Sequence, residues 1–256
     1  MSSWEQSPPP VLYKFLRPER LDVLRDCRIC FSHRLGFKDD HELQPEYATF
    51  GTDGEIQGFV HSGKENWPGQ VPSDEVIRMI ASNPHYQATA MRVMKRHMRS
   101  PDEFGVLCLT EEPNSERMCG EYADNGRGFV LGFDTAHRGF KELRTPGRIG
   151  RVHYSDEPFG SFLATFNDIA ATFFRKRMEY QFEREWRSIR ALRHLEQISA
   201  TVFLSRFDPA SVRKIIMLPA CSVEAELDRI LTRDARYSHL RLTRNGPASR
   251  GGSSLF

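Results

Sequence analysis

Glu183-Arg184-Glu185 is the segment of this chain with the clearest capacity for chemistry. On a strand, residues two apart point to the same face and lie roughly 6.5–7 Å apart. Glu183, Glu185 and Arg187 are therefore expected on one face, with Phe182 and Trp186 packed on the other. Two neighbouring carboxylates repel, and one of them then holds its proton more readily than a free carboxyl. Such a pair suits a reaction at a sugar anomeric carbon. One carboxylate stabilises positive charge on the ribose ring and holds a hydroxyl, while the other orients or deprotonates a nucleophile. An exposed strand whose acids pair across a sheet with Arg184, Arg187 or Arg190 accounts for the same spacing, and on spacing alone it is the simpler account. Residues near other strand ends supply a second half for a site: Tyr13 and Lys14 on the first strand, Ser32 ending the second, and Tyr122 before a hairpin. A planar cationic ring such as nicotinamide stacks on tyrosine, and Lys14 or Arg17 meets a pyrophosphate.

Other chemistries find less support. Gly126-Arg127-Gly128 lacks the third glycine of a dinucleotide fingerprint, since Leu131 stands there, and the segment enters a strand rather than a helix. Cys27-x-x-Cys30 has zinc-ligand spacing without a second pair, and the five cysteines at 27, 30, 108, 119 and 221 read as reduced thiols rather than a disulfide framework or a metal site. There is no His-Glu-x-x-His arrangement and no Gly-x-Ser-x-Gly elbow. The 36 basic and 34 acidic residues leave a net charge of +2, which argues against a dedicated nucleic-acid binder but not against a local basic face. No stretch approaches the roughly 18 apolar residues of a membrane helix, and Met1–Gln6 has neither the basic nor the apolar region of a secretory signal. A cytoplasmic protein is the expectation.

The elements that must position these residues follow from pattern. At 256 residues with 39% hydrophobic and 27% charged content, the chain is an ordinary globular one of one or two domains. Residues 1–10 end in Ser7-Pro8-Pro9-Pro10, an extended lead-in, and Val11–Phe15 reads as a first strand. Pro18 opens a helix with Leu21, Leu24 and Arg28 on one face, and Ile29–Ser32 is a second strand. Residues 33–72 are polar and without period, a long surface loop. Ser73 caps a helix to about Ser82, and a second covers roughly 85–98 with Met91, Met94 and Met98 along one side and Arg92, Lys95, Arg96 and Arg99 forming a basic side. Strands are expected at 105–110, 128–134, 150–154, 182–189, 201–204, 214–218 and near 239–243. Helical turns are expected at 117–123, along Phe162, Phe166, Ile169 and Phe173, and from Ser222 to about Thr232, with 244–256 a loose tail. Strands and helices do not alternate regularly, so one α+β domain over 11–243, with flanking helices, is the architecture these patterns predict.

Several segments taken in order resemble the DUF2971 family of bacterial proteins over about residues 11–243. Leu12-Tyr13-Lys14-Phe15 is similar to that family's Leu-Tyr-Lys-Tyr strand, and Ile29-Cys30-Phe31-Ser32 to its Phe-Ser. Phe37, Asp39 and Glu42 keep its Phe-Asn-Asp-Pro-Phe-Glu pattern. Met118–Asp124 followed by Gly128–Asp134 resembles Met-Trp-Ser-His-Tyr-Ala leading into Lys-Gly-Phe-x-x-Gly-Phe-Asp, with Cys119 and Glu121 replacing the tryptophan and histidine. Phe182–Arg187 is similar to Tyr-Glu-x-Glu-Trp-Arg, and Lys214–Leu218 before Ser222 also fits.

More distantly, a tyrosine-bearing first strand, a strand ending in Phe-Ser and a late Glu-x-Glu resemble mono-ADP-ribosyltransferases. That resemblance implies a split mixed β-sheet, NAD as substrate, Glu185 as the catalytic glutamate and Glu183 as its partner. Tyr13 or Lys14 and Ser32 would lie along the NAD cleft, and ADP-ribose would pass to a macromolecular acceptor, protein or nucleic acid, in a role compatible with a toxin or phage-defence effector. Two other readings predict different geometry. A non-catalytic nucleic-acid-binding module needs the helix 85–99 and the loop Arg144–Arg151 to form one basic surface, and a metal-dependent nuclease needs Glu183, Glu185 and Asp39 around one divalent ion.

Overall fold

Alternating apolar residues on four central strands build a two-sided sheet. The structure, a computed structural model, describes residues 7–37, 39, 42–44, 46–66, 73–95, 101–165 and 172–244. Its strands, in chain order, are β1 (Val11–Leu16), β2 (Arg28–His33), β3 (Tyr47–Thr49), β4 (Phe104–Thr110), β5 (Phe129–Asp134), β6 (Gly147–Arg151), β7 (His153–Tyr154), β8 (Phe159–Ser161), β9 (Arg175–Lys176), β10 (Glu185–Ala191), β11 (Glu196–Gln197), β12 (Val202–Arg206), β13 (Val212–Met217) and β14 (Leu242–Arg244). The helices that flank them are α1 (Asp22–Asp26), α2 (Asp53–Asn66), α3 (Asp74–Ser82), α4 (Pro84–Lys95), α5 (Glu116–Tyr122), α6 (Arg138–Leu143), α7 (Phe162–Thr165) and α8 (Glu224–Arg233). Leu107 and Leu109 of β4, Phe129, Leu131 and Phe133 of β5, and Ile215 and Met217 of β13 share one buried cluster with Leu24 of α1, Phe140 of α6 and Leu227 of α8. The intervening residues Tyr13, Phe15, Val130 and Ile216 pack on the other face under Met118 of α5. Each such Leu or Phe contributes roughly 1.5–3 kcal/mol on full burial, so the period-2 pattern fixes which face of every strand looks where.

Among the described residues ten strands form one mixed sheet, ordered β11-β12-β2-β4-β1-β5-β13-β14, with β10 and then β6 branching from β4. β10 lies along the whole of β4, from Glu185 opposite Thr110 to Ala191 opposite Phe104. The other edge of β4 is shared. β1 meets it at Tyr13–Thr110, and β2 at Ser32–Val106 and His33–Gly105. β1 and β2 thus part from β4 at different points, and the backbone of 107–109 faces the gap between them.

The return from α5 into β5 is a close approach. Asp124, Asn125 and Gly126 all take positive φ, at 50°, 54° and 80°, which is the expected turn. Behind it, a Cβ on Gly128 would fall 1.9 Å from the carbonyl oxygen of Leu16. Gly128→Ala is expected to cost about 1–3 kcal/mol by forcing β1 and β5 apart. In urea it should lower the unfolding midpoint with an unchanged slope.

Residues 33–72 depart most from expectation. They hold β3 and the 14-residue α2. A capping box starts that helix: the Glu55 N–H donates to Thr52 Oγ1 at 3.3 Å, and the Thr52 N–H donates to Glu55 Oε2 at 2.7 Å. Ile56 and Val60 bury its inner side against Phe50, Ile77 and Phe162 in a satellite core, while Gly54 and Gly58 dilute the apolar period in the sequence. Other differences are local. Pro18 opens a short 3-10 turn to Leu21 before α1, and Arg28 is already in β2. The strand expected at 150–154 is broken into β6 and β7. Ser222 does not cap α8: its N–H and Oγ both donate to the Arg127 carbonyl, at 2.8 and 3.3 Å. The Ser73 cap holds, accepting the Val76 N–H at 3.4 Å. Expectations for Arg96, Met98, Arg99, Phe166, Ile169 and the tail from 245 lie outside the described residues.

Candidate functional site

Glu183 and Glu185 do not sit on one strand face. A 3-10 turn over Met178–Glu183 ends at Arg184, which takes the left-handed conformation at φ 42°, and β10 begins only at Glu185. The reason is Trp186, which drops into the core and registers the strand from 185 onward. The chain turns through Arg184, and Glu183 approaches Glu185 from the turn side. Both residues are 97% buried and both carboxylates accept from one ammonium. Lys176 Nζ of β9 is 2.6 Å from Glu183 Oε2 and 3.4 Å from Glu185 Oε2.

Around this pair lies a closed ionic network. Arg187, fully buried, donates through Nε and Nη2 to the two oxygens of Glu185 at 2.9 and 3.0 Å, through Nη1 to the Phe173 carbonyl at 2.7 Å, and through Nη2 to Glu42. Glu42 Oε1 is also 3.6 Å from Lys176 Nζ. The Tyr122 hydroxyl donates to Glu183 Oε1 at 2.5 Å, and the Tyr154 hydroxyl accepts the Glu185 N–H at 2.8 Å. The fork of Arg187 fixes the Glu185 rotamer. Burial alone would raise the Glu185 carboxyl, but the Arg187 and Lys176 charges outweigh it and hold that group well below the usual carboxylate range. Burial and the neighbouring Glu185 charge push Glu183 up to about 6 despite Lys176. Environments that drive two adjacent acids apart are those that assign separate acid and base roles.

An open cleft of about 310 Å³ passes over this network, and it is lined by Tyr13, Lys14, Ser32, Tyr122, Glu183 and Glu185. Six of the residues singled out in the sequence border one space at the parting of β1 and β2 from β4, whereas Arg17, exposed just past the end of β1, does not line it. Lys14 Nζ donates to the Cys108 carbonyl at 2.9 Å, on the stretch of β4 that faces the gap. Tyr13 is packed beside Gly132, with 9% of it exposed. A second cavity of about 260 Å³ borders the same Asp39, Glu42 and Lys176 and is lined also by Ser155, Phe159 and Arg175.

Lys176 and Tyr154 escaped the sequence reading, and Glu42 entered only through a family pattern. Arg175-Lys176-Arg177 looks like any solvated basic run, and nothing in it marks the middle residue as buried. The three-acid metal arrangement is not formed. Asp39 pairs with Arg177 at 3.2 Å, Glu183 and Glu185 share Lys176, and among the described residues no three of His, Cys, Asp or Glu are grouped to hold a metal ion. The five cysteines are free thiols. On the proposed basic loop, Arg151 is paired with Glu111 at 3.0 Å.

The chain is thus a mixed α/β protein, with a mixed multi-stranded sheet, flanking helices and a carboxylate-lined cleft where two strands diverge. No helix among the described residues is long and apolar enough to cross a membrane. Comparison with family models, curated proteins and solved structures finds no match to this chain.

Proposed function

We propose that the cleft carries out ADP-ribosyl transfer from NAD to a macromolecular acceptor. The observation that carries this reading is the convergence of the unequal Glu183–Glu185 pair with Tyr13, Lys14, Ser32 and Tyr122 on one cleft. Five of the six segments that resemble the DUF2971 family add support, since each contributes a lining residue: Tyr13 and Lys14, Ser32, Glu42, Tyr122, and Glu183 with Glu185. The cleft's 310 Å³ is near the lower end for ligand sites and suits the nicotinamide–ribose half of the donor, with the remainder extending past Lys14.

In this reading the glycosidic C–N bond breaks and its electron pair leaves with neutral nicotinamide. The ionised Glu185 holds a ribose hydroxyl and stabilises the positive charge that develops on the ring. Glu183 takes the proton from the acceptor nucleophile as its bond to the anomeric carbon forms.

The test is incubation with labelled NAD and a cell lysate, following nicotinamide release and label transfer; absence of both removes the reading. Because the base must be ionised, kcat/KM should rise with pH through about 6, following Glu183, and level off above. A profile flat across that range would deny Glu183 the role.

A further inference from the structure

We propose that Lys176 is a positioning residue of this cleft: its ammonium is the shared donor that fixes the Glu183 and Glu185 carboxylates side by side and keeps Glu183, the acid that Arg187 does not hold, ready to take the proton during transfer. This assignment rests on the transferase reading. Lys176 lies within ion-pair distance of three carboxylates, at 2.6 Å from Glu183, 3.4 Å from Glu185 and 3.6 Å from Glu42. The ring of Tyr180 flanks it, with Nζ 4.6 Å from the centroid. Its side chain is 93% buried among these groups.

The sharing is unequal. Glu185 has Arg187 on both oxygens as well as Lys176, whereas Glu183 depends on Lys176 and on the neutral hydroxyl of Tyr122. Lys176 is therefore the one full positive charge in direct contact with Glu183 among the described residues. Lys14 of β1 and Glu121 of α5 are further charged groups lining the cleft, and Cys108 on β4 and Tyr154 on β7 face the network too, both pushed up by burial and so neutral. Asp39 is occupied with Arg177. Lys176 is not itself the nucleophile or base. Burial favours its neutral form, but Glu185 and Glu42 outweigh burial and hold it above the ordinary lysine range, protonated and without a free electron pair.

The decisive variant is Lys176→Met, which keeps the length and removes the charge, with Lys176→Arg as the conservative control. Two readouts are needed: the pH dependence of kcat/KM, and titration of the Glu183 side-chain carboxyl by NMR on protein labelled with 13C-glutamate. Loss of a contacting opposite charge is expected to raise the Glu183 midpoint by about 1–3 pH units, with the rising limb of kcat/KM moving by the same amount, and arginine should restore both. Should the methionine variant fail to fold, Glu42→Gln serves instead. It frees Lys176 for the remaining two acids and removes a repelling charge, so the Glu183 midpoint should fall. An unmoved midpoint in the methionine variant, or an unmoved or raised one in the glutamine variant, overturns the proposal. The NMR titration needs no turnover, so a wild-type chain inactive on NAD whose Glu183 midpoint still moves as stated would remove the transferase reading while leaving Lys176 as the organiser of the pair.

Discussion

Glu185→Gln is expected to lower nicotinamide release and label transfer by on the order of 10²–10³-fold, the usual loss when one preorganised group that stabilises transition-state charge is removed. Glutamine keeps the shape and can still accept from Arg187 Nε through its amide oxygen, but it carries no charge to set against an oxocarbenium-like ring. The site's own construction makes the substitution informative. Arg187 and Lys176 hold the wild-type carboxyl well below the usual carboxylate range, so lowering the pH into the ordinary glutamate range does not mimic the variant. Arg187 retains Glu42 as its counter-charge, which limits the damage to the fold, and circular dichroism with thermal melting checks that the variant is native. A folded glutamine variant within twofold of wild-type activity would exclude Glu185 from the chemistry, whatever the cleft binds.

The sheet was legible because its signal is redundant. In β5, Phe129-Val130-Leu131 followed by Phe133 is apolar on both faces, and so short a run, rich in aromatic and β-branched residues and opened by the Asp124–Gly128 turn, fits a strand buried on both sides. The same holds for β4 and for residues Ile215–Met217 of β13. The helix α2 was hidden because its stabilisation comes from a satellite core that forms only when Phe50, Ile77 and Phe162 arrive from distant segments. Its capping box Thr52-x-x-Glu55 stood in the sequence and was the signal to use. The Glu-x-Glu segment teaches a different lesson. Period-2 spacing puts residues 183 and 185 on one face only if the strand covers both, and the left-handed Arg184 shows that it does not. The two carboxylates still meet, because each is drawn to the same ammonium. That ammonium comes from Lys176, several residues upstream, on a two-residue strand paired with β7 that no propensity window would pick out. Charge complementarity among residues far apart in the chain has no periodic signature, which is why half of the network was readable and its centre was not.

Arg187→Met is expected to be the most destabilising single change in the site, by about 3–5 kcal/mol, the range for removing one partner from a buried ion pair. The guanidinium is fully buried and contacts Glu185, Glu42 and the Phe173 carbonyl at once. Without it three buried carboxylates share the single charge of Lys176, and a buried backbone carbonyl loses its donor. The pH dependence separates this mechanism from a simple packing defect. In the wild type the folded Glu185 carboxyl is depressed, so its contribution is present above the unfolded glutamate value of about 4.3 and is lost as pH falls towards the folded one. In the variant Glu185 loses its main counter-charge and joins Glu42 and Glu183, whose folded carboxyls burial already holds above their unfolded values, so the folded state binds more protons. Its stability then falls as pH rises through and beyond that value. The deficit measured by urea unfolding should accordingly be smallest near the unfolded glutamate value and grow towards neutral pH. A deficit of constant size across that interval would mean that Arg187 matters for the volume it fills, and that the cleft's carboxylates are held apart in protonation by something other than the charges that touch them.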